Sequence, residues 1–167
     1  AVSAFGLSHI ELRGVDGVNV SDLTKEQRLR TRAMLLEKGV KVSALGSPIG
    51  KISITEEFAP HFEKFQSLVA FAKELNTPYI RLFSFYIPKG EAPGRYRDQG
   101  LRRMEQLIAY GKEQQVVLLH ENEKGIYGDS AARCLDLMET LSCDHFKSIF
   151  DFANFVECGE DTHRAFS

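Results

Sequence analysis

Neither sign of charge dominates this chain: 21 Lys and Arg stand against 23 Asp and Glu in 167 residues, a formal net charge of −2. Nucleic-acid-binding domains usually carry a basic surplus, so no nucleic-acid partner is expected. Arg28, Arg30 and Arg32 do gather, but Glu26 and Glu37 share their predicted helix, which reads as a solvated face. Cysteine is scarce and odd in number: Cys134, Cys143 and Cys158, with no Cys-x-x-Cys pair. That favours reduced thiols in a cytoplasmic protein over a disulfide framework or a structural zinc. No apolar run approaches the roughly 18 residues of a membrane span, and no secretory leader pattern opens the sequence. Dinucleotide and mononucleotide fingerprints are missing as well. There is no Gly-x-Gly-x-x-Gly, and Gly46-Ser47-Pro48-Ile49-Gly50-Lys51 is too short between its glycines for a phosphate loop.

What remains is an ordinary globular composition, 43% hydrophobic and 26% charged, long enough for one buried core and short for two. A single domain over 1–167 is expected. Apolar alternation predicts strands over 9–13, 40–45, 79–86, 116–120 and 148–152. Between them, Thr24 and Gln27 form a capping-box signature for a helix that Gly39 stops. Phe62, Phe65, Leu68, Val69, Ala72 and Leu75 then repeat at helical spacing. Two further helices carry Leu101, Met104, Leu107 and Ile108, and Ala132, Leu135, Met138 and Leu141. Ala1 to Gly6 read as the last turns of a helix and Thr162 to Ser167 as one starting, so both ends resemble cuts. Alternating strands and helices imply a parallel sheet, either open and doubly wound or part of a (β/α)8 barrel. A whole barrel needs about 250 residues.

In parallel folds of this kind, functional side chains collect where strands end. The five predicted exits offer Glu11 and Arg13; Ser47 to Lys51; Arg81, Phe83 and Ser84; His120 to Lys124; and Asp151 with Asn154. Glu121 and Asp151 each follow an apolar strand in successive units. On neighbouring strands about 4.8 Å apart, two such carboxylates could share a divalent cation. Oxygen ligands suit Mg2+ or Mn2+, and an added imidazole would suit Mn2+, Co2+ or Zn2+. The competing reading is that each acid caps the next helix or bonds a nearby N–H. Arg81 is expected inside the sheet, where a buried arginine needs a carboxylate, so a structural Glu11–Arg81 pair competes with substrate contact. Lys51 and Lys124 lie in loops, as ligand contacts or solvated lysines. His120 should point away from Glu121, and His61, His145 and His163 carry no ligand spacing.

In order, Gly6-Leu7-Ser8-His9-Ile10-Glu11-Leu12-Arg13, Gly46-Ser47-Pro48-Ile49-Gly50-Lys51, Tyr79-Ile80-Arg81-Leu82-Phe83-Ser84-Phe85, Leu118-Leu119-His120-Glu121-Asn122-Glu123 and Phe150-Asp151-Phe152-Ala153-Asn154-Phe155 resemble the sugar phosphate isomerase/epimerase family. That family belongs to the xylose-isomerase-like TIM barrels. The resemblance implies a (β/α)8 barrel of which these residues form strands two to six. It implies one metal, most often Mn2+, held by Glu, Asp, His and Glu from the last four strands. Glu121 would be the first ligand and Asp151 the second. The remaining two would lie outside these residues, so the segment alone is not expected to be active. The implied reaction is proton transfer beside a carbonyl through a metal-stabilised enediolate, isomerising or epimerising a carbohydrate, with or without a phosphate. Glu121 would also shuttle the proton. Lys51, Arg81, Glu123 and Asn154 would hold substrate hydroxyls or orient ligands. A cyclic polyol dehydratase and a catalytically silent sugar-binding barrel remain as alternatives, with a homo-oligomer left open. Asn154 stands where many relatives carry the histidine of an Asp-x-x-His pattern, and Phe83-Ser84-Phe85 lacks a histidine at the third exit. Both departures argue against a family-2 apurinic endonuclease.

Overall fold

The computed structural model describes residues 5–166; the helical turns expected at the very start fall largely on residues 1–4, outside them. Five strands form one sheet in the order β1 (His9–Leu12), β4 (Lys41–Gly46), β5 (Tyr79–Leu82), β6 (Val117–Glu121) and β7 (Phe146–Ile149). Every neighbouring pair is parallel. The helices between them are α1 (Lys25–Glu37), α2 (Ala59–Glu74), α3 (Arg97–Glu113) and α4 (Ala131–Leu141), and the chain continues through α5 (Phe152–Glu157) and α6 (Thr162–Phe166). This is a partial barrel of consecutive β/α units. Among the described residues, no helix is long and apolar enough to cross a membrane.

Local chemistry sets the boundaries. Thr24 and Gln27 form the reciprocal capping box: Gln27 N–H donates to Thr24 Oγ1 at 3.2 Å, and Thr24 N–H to Gln27 Oε1 at 2.8 Å. Gly39 leaves α1 at φ +64°, a conformation glycine adopts without strain. Leu68, Ile80, Leu82, Met104, Leu107 and Leu118 are fully buried where the helices meet the sheet. α3 lies so close to β6 that a Cβ added at Gly111 would stand 3.3 Å from Leu118 Cγ. Burying each of these large side chains contributes about 1.5–3 kcal/mol.

Two strands differ from expectation. β5 stops at Leu82 rather than running to residue 86. Residues 83–86 keep a strand-like composition, but their backbone bonds go to the β4–α2 loop: Phe83 N–H to Ile49 O, Phe85 N–H to Gly50 O and Tyr86 N–H to Ile52 O. Phe85, at φ +69°, bends the chain out of the sheet. β7 begins earlier than expected, at Phe146, and ends earlier, because Asp151 caps α5, which then opens at Phe152. A short antiparallel hairpin of β2 (Gly14–Val15) and β3 (Val18–Asn19) was not anticipated. Asp16 and Gly17 turn it with φ of +51° and +80°, as a type I′ turn requires.

Candidate active site at the strand exits

Strand register decides which side chains meet. Paired residues of parallel strands share a face, and residues alternate along each strand. Glu11 pairs with Ala44, Gly46 with Arg81, Arg81 with Leu119, and Glu121 with Ile149. One face of the sheet therefore carries Glu11, Gly46, Arg81 and Glu121, with Asp151 following two residues after Ile149. The opposite face carries Leu45, Ile80, Leu118, His120 and Phe146 towards the core. A register shift between Ile10 and Glu11 leaves Ser43 outside the ladder; such bulges re-aim the side chains beside them.

Arg81 sits at the centre of the polar face. Its Nη1 lies 3.0 Å from Glu121 Oε2 and 3.4 Å from Glu11 Oε1. The Arg81 and Glu121 side chains are only 13% and 11% exposed, while that of Glu11 is 44% exposed. The expected Glu11–Arg81 pair is present, and Arg81 also serves Glu121. Gly46 leaves room on β4 for Glu11 to reach Arg81: a Cβ there would collide with Glu11 Oε1 and stand 2.6 Å from Arg13 Cγ. The Arg81–Glu121 contact is an ion pair without hydrogen-bond alignment. Glu121 Oε2 is buried and makes no hydrogen bond.

Burial pushes the Glu121 carboxyl above its ordinary range. The Arg81 guanidinium opposes the shift, whereas the charge of Asp151, a hydrogen bond to Asp151 and the charge of Glu11 all add to it. Asp151 thus stands near enough to Glu121 for its charge to act on that carboxyl. Asp151 realises the helix-cap reading: its Oδ1 accepts from Asn154 N–H at 2.9 Å. Capping uses one oxygen and leaves the other for a ligand.

The rim is formed by Lys51 and Glu123, paired at 2.7 Å. Lys51 Nζ stands 4.2 Å from the centre of the Phe83 ring, and Arg81 Cζ 5.3 Å from the same ring, so one buried aromatic carries both cations. Asn154 donates its side-chain amide to Asn122 O at 2.8 Å. Lys124 is exposed. His120 points away from Glu121, as expected; it is fully buried and bonded to Ser84 Oγ at 3.0 Å. His61 Nε2 accepts Gly50 N–H at 2.8 Å, fastening the loop that carries Lys51. Phe83 and Asn122 stand at the strand exits read from the sequence, but the sequence gives neither of them a role. Phe83 was assigned to a strand, and Asn122 has an amide whose partner lies 29 residues away, beyond any local pattern.

Two hard carboxylate oxygen donors drawn together, one with a buried oxygen lacking any hydrogen bond, fit two ligands of a divalent cation. Among the described residues, no group of three or more His, Cys, Asp or Glu is gathered as a metal cluster.

Residues 1–166 match the xylose isomerase-like TIM barrel family. No curated protein matches the chain. Among solved structures, it is similar to the probable 3-DHS dehydratase of petrobactin synthesis from Bacillus anthracis (TM-score 0.78, 21% identity, 99% of this chain and 60% of that one). It is also similar to a xylose isomerase-like TIM barrel protein from Mycobacterium smegmatis in complex with magnesium (0.73, 15%, 93% and 55%). A third is a 3-keto-D-glucoside 4-epimerase from E. coli (0.66, 12%, 84% and 59%). At these identities the likeness is one of fold, and the chain spans 55–60% of the length of those three proteins.

Proposed function

The chain belongs to the xylose isomerase-like TIM barrel family, and from that premise we propose a divalent-metal-dependent enzyme that isomerises or epimerises a sugar or sugar phosphate by moving a proton beside its carbonyl. The observation that carries this reading is the buried Glu121 carboxyl, raised in pKa, held beside Asp151 and left with an oxygen that no hydrogen bond satisfies. Glu121 and Asp151 would hold the cation, Mn2+ in our reading, with Mg2+, Co2+ and Zn2+ as alternatives suited to oxygen-rich sites. When bound, the cation supplies Lewis-acid polarisation of the substrate carbonyl.

Everything else follows from this chain's own side chains. A carboxyl raised above its ordinary range is a stronger base than a free one, so Glu121 would take a proton from carbon and return it. Arg81 keeps that carboxyl in place and offsets the repulsion from Asp151 and Glu11. At the rim, the Lys51 ammonium and the Glu123 carboxylate offer a donor and an acceptor side by side, the pairing a sugar hydroxyl uses. Asn154 orients Asp151 through its N–H and the Asn122 carbonyl. The magnesium complex of a similar barrel supports a divalent cation, and the epimerase and dehydratase neighbours support an enzyme on this scaffold.

The test is proton NMR of the full-length protein with Mn2+ and a panel of ketoses and ketose phosphates in D2O. The expected result is deuterium at the carbon beside the carbonyl, dependent on Mn2+ and lost in Glu121→Gln while the fold is retained. Loss of water from the substrate would assign the dehydratase instead. Neither exchange nor metal uptake would leave a silent binding barrel.

A further inference from the structure

We infer that Asn122 is a positioning residue that holds Asp151 against Glu121, an inference that rests on the metal-pair reading above. The β6–β7 ladder ends with Glu121 opposite Ile149. Two residues later Asp151 has no strand partner, and the Asn122 side chain takes the place of the missing rung. Its Nδ2 donates to Asp151 O at 2.9 Å, and its Oδ1 accepts Asp151 N–H at 2.7 Å. Only one orientation of the amide satisfies both bonds, so donor and acceptor are assigned by the partners themselves. Asn154 closes the loop, giving its amide to Asn122 O at 2.8 Å and its N–H to Asp151 Oδ1 at 2.9 Å. Asn122 is 2% exposed.

The consequence is mechanical and electrostatic at once. Glu121 and Asp151 repel when both are charged, and a free Asp151 segment would relax away from β6. Asn122 immediately follows Glu121, so one short stretch fixes both carboxylates: β6 aims Glu121, and the next side chain pins the backbone that aims Asp151. Partners that orient a ligand from behind commonly govern metal affinity by about 10–100-fold.

Asn122→Ala and Asn154→Ala in the full-length protein test this, with free Mn2+ followed by EPR during titration and thermal melts recorded without metal. Asn122→Ala should weaken Mn2+ binding by about 10–100-fold. Asn154→Ala, which removes only the return bond, should weaken it several-fold with a melt close to wild type. Wild-type-like Mn2+ affinity in folded Asn122→Ala overturns the inference, whatever its melt. If Asn122→Ala does not fold, Asn154→Ala decides alone, and unchanged affinity there also overturns it. A wild-type protein that takes up no Mn2+ would instead remove the metal-pair reading itself, before either variant is compared.

Discussion

Replacing Arg81 by methionine probes the electrostatic arrangement directly, because methionine keeps much of the packing and removes the cation that stands between Glu11 and Glu121. At 3.0 Å from Glu121 Oε2 and an effective dielectric near 20, the attraction is about 5–6 kcal/mol. Desolvation of both groups offsets part of it. Removing one partner of a buried pair nonetheless costs about 3–5 kcal/mol, because the other charge is left uncompensated. Here the stranded charge is Glu121, 11% exposed at its side chain and facing a second carboxylate. Urea unfolding of the metal-free protein at pH 7 should show a loss in that range for Arg81→Met. Adding Glu121→Gln should recover most of it, a coupling of about 2 kcal/mol or more. Without Arg81, the influences on Glu121 that remain all raise its pKa. Native Glu121 then binds a proton more tightly than the unfolded chain does. Its contribution is favourable below the unfolded pKa and lost as the pH rises through the folded one. The deficit of the variant should therefore shrink on acidification. An Arg81→Met protein that loses less than about 1 kcal/mol, or whose loss simply adds to that of Glu121→Gln, would refute the reasoning.

Three further outcomes are expected. Gly50→Ala should cost more than about 2 kcal/mol in a thermal or urea melt, since residue 50 sits at φ +87° and an added Cβ would collide with the Phe83 carbonyl; a wild-type melt would show that the β4–α2 loop is not clamped onto β5. His61 and His120 are pushed down to about 4, chiefly by burial. The unfolded chain binds more protons than the native one between about pH 6.5 and 4, so stability should be full above that window and fall as the pH drops through it. Urea midpoints flat from pH 7 to 4.5 would contradict this. Asp151→Asn should leave α5 capped and the melt close to wild type, since asparagine caps about as well as aspartate, while Mn2+ affinity falls by tenfold or more; unchanged affinity would make Asp151 a cap and nothing else.

The frame of the fold could be read from periodicity and caps because these are local. Thr24 with Gln27 and Gly39 bounded α1, and the apolar runs around Leu45, Ile80 and Leu118 marked the central strands. Strand ends were less legible where a competing local interaction wins. Residues 83–86 are as apolar and aromatic as a strand, but their N–H groups bond to a loop. Around Asp151, helix capping cuts short an apolar stretch that otherwise continues through Phe152. Within the site, strand alternation put Glu11 and Arg81 on inward faces, where a pair competed with substrate contact, and turned His120 away. The second contact of Arg81, to Glu121, depends on the register of β5 against β6. The amide of Asn122 reaches across to a neighbouring unit, and nothing in the adjoining residues signals that bond.

Anomalous diffraction from a crystal of the full-length protein soaked in Mn2+ tests the central idea most directly. The expected result is a peak bonded to one oxygen each of Glu121 and Asp151, at about 2.0–2.2 Å as for other small divalent cations on carboxylates. A peak elsewhere in the barrel, or none at saturating Mn2+, would contradict it.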